Sequence, residues 1–285
     1  RQTLAIMEQG YYQYGDSKIE IRSALEASVR GSFLITPQQA EELLAMYNVS
    51  GSTAIVPVRT ENIATVEAVR RLTEEGKEKI GVLNFASAKN PGGGFINGAM
   101  AQEESLAASS TLYRTLTVHE EYYRENRAQR SMMYTNYAIY SPDVVFFRDG
   151  RFQLVEKPFK ASVLTLPAVN MGQVLLKGED SAEAERVMRR RMKLALAIFA
   201  RQGARNLVLG AYGCGVFRND PKKIAAWWKE LLEDEGMGQY FDFIFHAVLD
   251  QSKNRECIRA FESILKNYVF TNSFFGDNII VSKNE

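Results

Sequence analysis

A short stretch of the sequence combines residue types that can bind an anion and transfer protons. Three consecutive glycines stand seven residues before Gln102, Glu103 and Glu104, and these glycines are Gly92, Gly93 and Gly94. Residues without a Cβ let a backbone turn tightly and approach a ligand closely. Backbone N–H groups of such a loop, and of a helix expected from about Gln102, can hold a diphosphate or polarised sugar oxygens. Because adjacent carboxyl groups supply acid–base chemistry, the stretch is predicted to be an active site.

Two strand-like segments lead into loops rich in glycine. Residues 80–86 form an apolar run that ends just before the glycine triplet, and residues 206–209 lead into a second loop, LGAYGCGVFRNDP at 209–221. The glycines of this second loop have the wrong spacing for the dinucleotide fingerprint GxGxxG. Each loop is therefore expected to follow a strand without forming a nucleotide-binding fingerprint of that kind.

Apolar runs rich in β-branched residues alternate with helical patterns along the chain, which indicates an α/β fold. The strand candidates are residues 53–58, 80–86, 137–140, 144–147, 162–166, 206–209 and 243–249. The clearest helix is predicted at 181–202, where Asp180 can cap the first turn and Gly203 follows the last. Further helices are predicted at 62–75, from Gln102, and from Pro221 after the cap Asp220.

No linker rich in Pro, Ser or Gly divides the chain, which favours one domain with an extension. Residues 1–50 are predicted to form a mostly helical extension that packs on a core at 51–285. The aromatic tail at 268–275 is expected to dock on that core. The predicted architecture is thus a single α/β unit with additions at both ends.

Composition and charge exclude several classes of protein. With 285 residues, 46% of them hydrophobic, the chain can bury a core, yet no apolar run reaches the roughly 18 residues of a membrane helix. A soluble protein without a signal peptide or membrane partner is expected. Cys214 and Cys257 cannot form a disulfide framework or a zinc quartet, which favours the cytoplasm, or the nucleus in a eukaryote. The net charge of +1 provides no field for nucleic acid, so direct DNA binding is not expected.

The glycine triplet followed by Gln-Glu-Glu resembles the signature of the poly(ADP-ribose) glycohydrolases, especially their smaller bacterial-type branch. The loop at 209–221 is similar to the other substrate loop of macrodomains, and the two loops occur in the matching order. Similarity continues in RQTLAIMEQGYY at the start, in IYSPDVVFFRD at 139–149 and in the apolar segment at 243–250, so it extends over nearly the whole chain. The resemblance implies a three-layer α/β/α macrodomain with a mixed central sheet.

The resemblance assigns Glu104 the role of general acid/base. Its carboxylic acid would protonate the departing 2′-oxygen of the neighbouring unit while the ribose passes through an oxocarbenium-like state, and its carboxylate would then activate water. Glu103 would orient ribose hydroxyls, Asn84 and Asn90 would offer amides to the same sugar, and Gln102 would join this substrate-binding set. Adjacent residues at a helix start cannot straddle a glycosidic bond as the opposed carboxylates of retaining glycosidases do. A single acid/base glutamate fits better.

In the second loop, the resemblance implies that four residues wrap the diphosphate and the distal ribose. They are Gly213, Gly215, Val216 and Phe217. Phe217 would pack over the sugar or base and block a polymer from running through the site, which favours cleavage from chain ends. Poly(ADP-ribose) or ADP-ribosylated proteins would be the partners and ADP-ribose the product. No cofactor is implied, and because the sequence has no carboxylate cluster for magnesium, EDTA should not inhibit.

Two other functions remain open at this point. A reader macrodomain would bind ADP-ribose without cleaving it, although the intact Gln-Glu-Glu argues against this. A hydrolase of single ADP-ribose units would use the same pocket with a different leaving group, and the sequence discriminates poorly between chain cleavage and single-unit cleavage. Inhibition by EDTA would indicate a magnesium-dependent class instead.

Several other residues have simpler interpretations than catalysis. Cys214 could serve as a nucleophile with His119 or His246, but a small buried cysteine between glycines is the preferred interpretation. His246 lies in an apolar, strand-like run and is predicted to belong to the core. The three arginines at 189–191 are predicted to lie on a solvated helix face.

Overall fold

The computed structural model describes residues 1–48 and 55–266, together with the backbone of residues 268–271 and 279–282. The helices are α1 (Gln2–Gln9), α2 (Arg22–Gly31), α3 (Pro37–Met46), α4 (Thr65–Glu74), α5 (Gln102–Ser109), α6 (Leu112–Thr117), α7 (Glu120–Ala128), α8 (Met171–Leu176), α9 (Ser181–Arg201), α10 (Pro221–Lys229) and α11 (Glu256–Ile264). The strands are β1 (Tyr11–Tyr14), β2 (Ser17–Glu20), β3 (Phe33–Ile35), β4 (Val58–Glu61), β5 (Ile80–Ala86), β6 (Ala138–Arg148), β7 (Leu154–Pro167), β8 (Asn206–Leu209), β9 (Phe243–Ala247), β10 (Tyr268–Thr271) and β11 (Ile279–Ser282).

A seven-stranded mixed sheet forms the centre of the structure, in the order β3-β6-β7-β5-β8-β9-β4. The pairs β3–β6 and β6–β7 are antiparallel, whereas β7, β5, β8, β9 and β4 run parallel to one another. Because β5 and β8 are parallel neighbours, the loops that follow them start at the same edge of the sheet. This edge lies at the carboxyl ends of the parallel strands, where ligands bind in open α/β sheets.

Alternating side chains of the strands divide the interior into two cores, one on each face of the sheet. Leu83 and Leu164 pack with α3, α9, α10 and α11, whereas Val82 and Val163 pack with α4, α5, α6 and α7. The predicted three-layer α/β/α arrangement with a mixed sheet is confirmed.

The N-terminal segment contributes a strand to the sheet in addition to packing against it. β3 pairs with β6 through Phe33 and Tyr140 and forms one edge of the sheet. α3 then begins at Pro37, with a reciprocal pair of hydrogen bonds between Thr36 and Gln39 at its start. The predicted boundary near residue 50 lies outside the described residues, as do the side chains of the aromatic tail at 268–275.

Local signals in the sequence predicted most elements well, and the differences have physical causes. β5, β8, α5 and the caps of α9 and α10 by Asp180 and Asp220 are confirmed. The two strands expected at 137–140 and 144–147 form one long β6, in which Asp143 has a φ of 48° at a register shift. The strand expected at 53–58 was misplaced: β4 begins only at Val58, and residues 53–54 lie outside the described part. β4 is a half-polar edge strand, so the apolar run before it was misleading.

The arginines at 189–191 do not share one solvated face. Arg190 is exposed and pairs with Glu41, but Arg191 is only 2% exposed. The prediction was wrong for Arg191 because α9 lies against both the sheet and neighbouring loops. His246 is buried in the core, as predicted, whereas Cys214 is only partly buried. No helix in the described parts of the chain is long and apolar enough to cross a membrane.

Candidate active site

The start of α5 is hydrogen-bonded directly to the central strand of the sheet. Backbone pairing of β5 with β8 ends at Val82. Beyond this residue, the side chain of Gln102 forms hydrogen bonds with the backbone of β5. Its Oε1 accepts the N–H of Phe85 at 2.8 Å, and its Nε2 donates to the carbonyl of Leu83 at 2.8 Å and to Oγ1 of Thr65 at 3.3 Å. Because both amide protons are used, Gln102 positions the helix start and keeps one Oε1 lone pair for a ligand.

Glu103 is a buried carboxyl group beneath the glycine loop, with 3% of its surface exposed. Its Oε2 accepts the N–H of Ser87 at 2.6 Å, and its Oε1 accepts from Nδ2 of Asn84 at 3.2 Å. Burial raises the pKa of Glu103 to about 8, because loss of hydration outweighs these hydrogen bonds, which act in the opposite direction. The nearby charge of Glu104 raises this pKa further. Glu103 is therefore largely protonated at neutral pH in the folded protein.

The raised pKa of Glu103 makes stability depend on pH. The folded protein keeps this proton up to about pH 8, whereas the unfolded chain releases it above the usual pKa of 4.5. The free energy of unfolding of the wild type, relative to that of Glu103→Gln, is therefore expected to fall as the pH rises from 4.5 to 8, by roughly 5 kcal/mol in total. Urea unfolding of both proteins across this range measures the difference, and a difference that is constant with pH would contradict the assignment.

Glu104 joins the glycine loop to the helix start. Its Oε1 accepts the N–H of Gly94 at 2.9 Å, and its Oε2 accepts the N–H of Ala101 at 3.1 Å. In contrast to Glu103, this side chain is partly exposed. The two adjacent carboxyl groups therefore occupy different environments, and only that of Glu104 lies where solvent and a reacting group have access to it.

Close packing around Glu104 accounts for the glycine triplet. Gly92 and Gly93 have φ values of 67° and 60°, in the left-handed region that favours glycine. A Cβ at Gly93 would lie 2.4 Å from Oε1 of Glu104, and one at Gly94 would lie 2.7 Å from Cβ of Ala99. The loop can therefore reach the Glu104 carboxylate only because these positions have no side chain.

The second loop, which follows β8, is held in shape from the inside. Gly213 has a φ of 71°, and a Cβ there would meet Nδ2 of Asn219 at 2.6 Å. Nδ2 of Asn219 donates to the carbonyls of Gly213 and Val169 at 2.9 Å and 2.8 Å. Gly215 and Val216 at the tip are exposed, with 85% of Val216 accessible. A buried asparagine thus fixes the loop while its tip stays open to a ligand.

Phe217 ends this loop as part of an aromatic wall. Its carbonyl accepts the N–H of Gly172 at 3.0 Å, which holds the backbone against the start of α8. The centroid of its ring lies 6.1 Å from that of Tyr134, with an angle of 41° between the planes. The two half-buried rings come from segments far apart in the sequence and pack together.

A cavity of about 550 Å³ opens beyond β4 and β9. Its walls include Asn62, Ile63 and Ala64, which follow β4, and Leu249, which follows β9, with Arg151 from the hairpin between β6 and β7. The residues that follow β4 and β9 start at the carboxyl edge of the sheet, whereas the rest of the lining comes from α4 and from the hairpin that precedes β7. The carboxyl edge therefore provides two glycine-rich loops and a partly exposed carboxyl group.

Comparison with known proteins places this arrangement in a family. The family model for the microbial-type PARG (poly(ADP-ribose) glycohydrolase) catalytic domain matches residues 1–149, just over half of the 285 residues. The chain belongs to the microbial-type PARG family. A search of curated protein sequences gives no match.

Solved structures of bacterial PARGs are similar over nearly the whole chain. That of the PARG from Thermomonospora curvata has 36% identity and a TM-score of 0.87, with 93% of this chain and 97% of that chain covered. The same enzyme bound to the inhibitor ADP-HPD has 37% identity and a TM-score of 0.85, with 92% and 96% covered. The PARG from Deinococcus radiodurans in complex with ADP-ribose has 41% identity and a TM-score of 0.77, with 85% and 96% covered.

The residues predicted from the PARG signature gather at one edge of the sheet, although not all of them face solvent. Asn84 is fully buried and donates hydrogen bonds to Glu103 and to Thr165, so it helps to position the Glu103 carboxyl group. Its contact with a sugar stays a prediction. Asn90 is exposed on the loop. Sequence reasoning missed Asn219 and the aromatic partner of Phe217, because the contacts with Val169 and Tyr134 join positions far apart in the chain. In the described part of the chain, no group of three His, Cys, Asp or Glu side chains could hold a metal ion.

Proposed function

We propose that this chain is a poly(ADP-ribose) glycohydrolase that cleaves ribose–ribose O-glycosidic bonds and releases ADP-ribose, with Glu104 as general acid/base. The observation that carries the proposal is the position of the Glu104 carboxyl group, which bonds the glycine loop at Gly94 and the helix start at Ala101 in a member of the PARG family. Because the glycine loop is expected to contact the ligand, its hydrogen bond to Glu104 also fixes the carboxyl group relative to the ligand.

The two glutamates have separate tasks in this reaction. Glu104 gives a proton to the departing 2′-oxygen as the bond to the anomeric carbon breaks, and it then takes a proton from the water that attacks this carbon. Glu103 is buried, with both oxygens hydrogen-bonded, so it is not placed to act as an opposed nucleophile. Its proposed role of orienting the ribose hydroxyls rests on the PARG signature. One carboxyl group therefore serves as both acid and base.

The remaining parts of the site supply binding. Backbone N–H groups of the glycine loop and of the loop around Gly213 and Gly215 would hold the diphosphate. The adenosine end of ADP-ribose would lie beyond β4, against Ile63 and Ala64, in a cavity that charged side chains also line. Poly(ADP-ribose) and ADP-ribosylated proteins are the proposed partners, with no cofactor. A cytoplasmic location is proposed from the presence of only two cysteines in the sequence.

Cleavage is proposed to proceed from chain ends because Phe217 blocks one end of the site. Phe217→Ala is expected to raise the proportion of internal cuts about threefold to tenfold, since it removes an aromatic contact with the substrate or its neighbour. The length distribution of the first products from purified poly(ADP-ribose) measures this proportion. Tyr14→Ala is the control, because it removes a partly exposed aromatic ring on β1, outside the two glycine-rich loops. An unchanged proportion in Phe217→Ala would show that another feature stops the chain.

The proposal is tested by the time course of ADP-ribose release from purified poly(ADP-ribose). Rapid release supports it. Absence of release with ADP-ribose still bound would indicate a reader, and cleavage only of single ADP-ribose units on proteins would indicate a mono-ADP-ribosyl hydrolase. A parallel assay with a singly modified protein separates these two outcomes.

A further inference from the structure

A buried arginine that has no carboxylate partner among the described residues lies behind the aromatic wall formed by Tyr134 and Phe217. Arg191, on α9, is 2% exposed, and burial lowers the pKa of its guanidinium. In the parts of the chain that the structure describes, none of its hydrogen bonds goes to Asp or Glu. A buried charge is costly unless hydrogen bonds replace its lost hydration. The acceptors that Arg191 does have are therefore informative about its role.

These acceptors belong mainly to one short segment. Nη1 of Arg191 donates to the carbonyl of Met133 at 2.6 Å, Nε donates to Oδ1 of Asn136 at 3.1 Å, and Nη2 makes a longer contact of 3.5 Å with the carbonyl of Tyr134. Nη1 also donates to the carbonyl of Pro167 at 3.1 Å. Because Pro167 is the last residue of β7, the arginine joins the segment at 133–136 to the carboxyl edge of the sheet.

Other buried or partly buried groups fix the two ends of this segment. Glu179 accepts the N–H of Met132 at 3.0 Å, and Oδ1 of Asn126 accepts both the N–H and the hydroxyl of Thr135 at 2.9 Å. Tyr134 lies between these anchors with a φ of 57°, a left-handed conformation that is uncommon for a tyrosine. The surroundings thus hold a strained residue in one orientation, with its ring against Phe217.

We propose that Tyr134 determines where the polymer is cut and that Arg191 is the positioning residue that holds it against Phe217. This inference rests on the proposed function. Phe217 is attached to a loop with an exposed tip, and a lone ring on such a loop could turn aside as a chain passes. The second ring, anchored through Arg191 to the sheet, prevents this movement. The wall is therefore stiff enough to limit the site to a terminal unit.

The test compares the first products of Tyr134→Ala, Tyr134→Phe and wild type on purified poly(ADP-ribose). Tyr134→Ala is expected to raise the proportion of oligomeric products from internal cuts about threefold to tenfold, and the conservative Tyr134→Phe is expected to restore the wild-type proportion. An active Tyr134→Ala enzyme with the wild-type proportion would overturn the inference. Failure of the wild type to release ADP-ribose would instead overturn the proposed function, so the two failures are distinguishable.

The role of Arg191 is tested with Arg191→Lys, which keeps the charge but not the planar fork of donors. It should raise the proportion of internal cuts, and adding it to Tyr134→Ala should produce no further rise, because both changes release the same ring. Additive effects would overturn the link between Arg191 and Tyr134. Arg190→Lys is the matched control, since this exposed neighbour bonds only to Glu41 in the described structure. If Arg191→Lys does not fold, Asn136→Ala removes one acceptor and tests the same link.

Discussion

Replacement of Glu104 by glutamine is expected to slow ADP-ribose release by about 10²- to 10⁴-fold, the usual contribution of a positioned acid/base. Glutamine has nearly the same shape, but it can neither protonate the departing 2′-oxygen nor take a proton from water. Its single side-chain oxygen can still accept the N–H of Gly94, so the glycine loop keeps this contact. The rate is measured on purified poly(ADP-ribose), and binding of free ADP-ribose is measured by calorimetry.

Glu103→Gln provides the comparison that isolates proton transfer. It changes a carboxyl group at the adjacent position, but one that is buried and bonded to Ser87 and Asn84. We expect this variant to affect mainly the Michaelis constant, because Glu103 orients the sugar. A Glu104→Gln enzyme that binds ADP-ribose and keeps its full rate would mean that the acid/base is another residue.

Gly93→Ala is expected to reduce the rate about 10²-fold, although the residue itself carries no chemistry. The added Cβ would lie 2.4 Å from Oε1 of Glu104 and 3.1 Å from its Cδ, so the carboxyl group must move. A displacement of about 1 Å in a catalytic group can cost this much. The rate of ADP-ribose release and the thermal midpoint of the purified variant are the two measurements.

Gly98→Ala is the matched control for this change. Gly98 lies in the same loop and also has a positive φ, of 81°, but no atom lies within 4 Å of an added Cβ. Both variants therefore carry similar backbone strain, of about 1–2 kcal/mol, and only Gly93→Ala moves Glu104. Equal losses of activity in the two variants would assign the effect to the loop backbone instead of to the carboxyl group.

The sequence predicted the parts of this structure that depend on local signals. The glycine triplet needs residues without side chains at 92–94 because of their own φ values and close neighbours, and this need is visible in the residue types. Asp180 and Asp220 cap helices within three residues of themselves. The nearly continuous apolar runs of β5 and β8 likewise mark strands buried on both faces.

Contacts between distant residues could not be predicted in this way. The bonds of Arg191 to Met133 and Asn136 join residues more than 50 positions apart, and three adjacent arginines give no sign of which one is buried. β3 has only three residues, and its place in the sheet depends on the exposed edge of β6. Glu103 and Glu104 are chemically identical, and only the folded chain gives them different burial.

The side chain of Gln102 has a mechanical consequence. Its amide continues the hydrogen-bond ladder of β5 where β8 stops, so the first turn of α5 is in effect a part of the sheet. A sheet with helices packed on both faces moves as a rigid body, and Glu103 and Glu104 must move with it. The glycine loop, which bonds Glu104 through the N–H of Gly94, is tied to the same unit, so the acid/base and this loop are expected to keep their relative positions when the substrate binds.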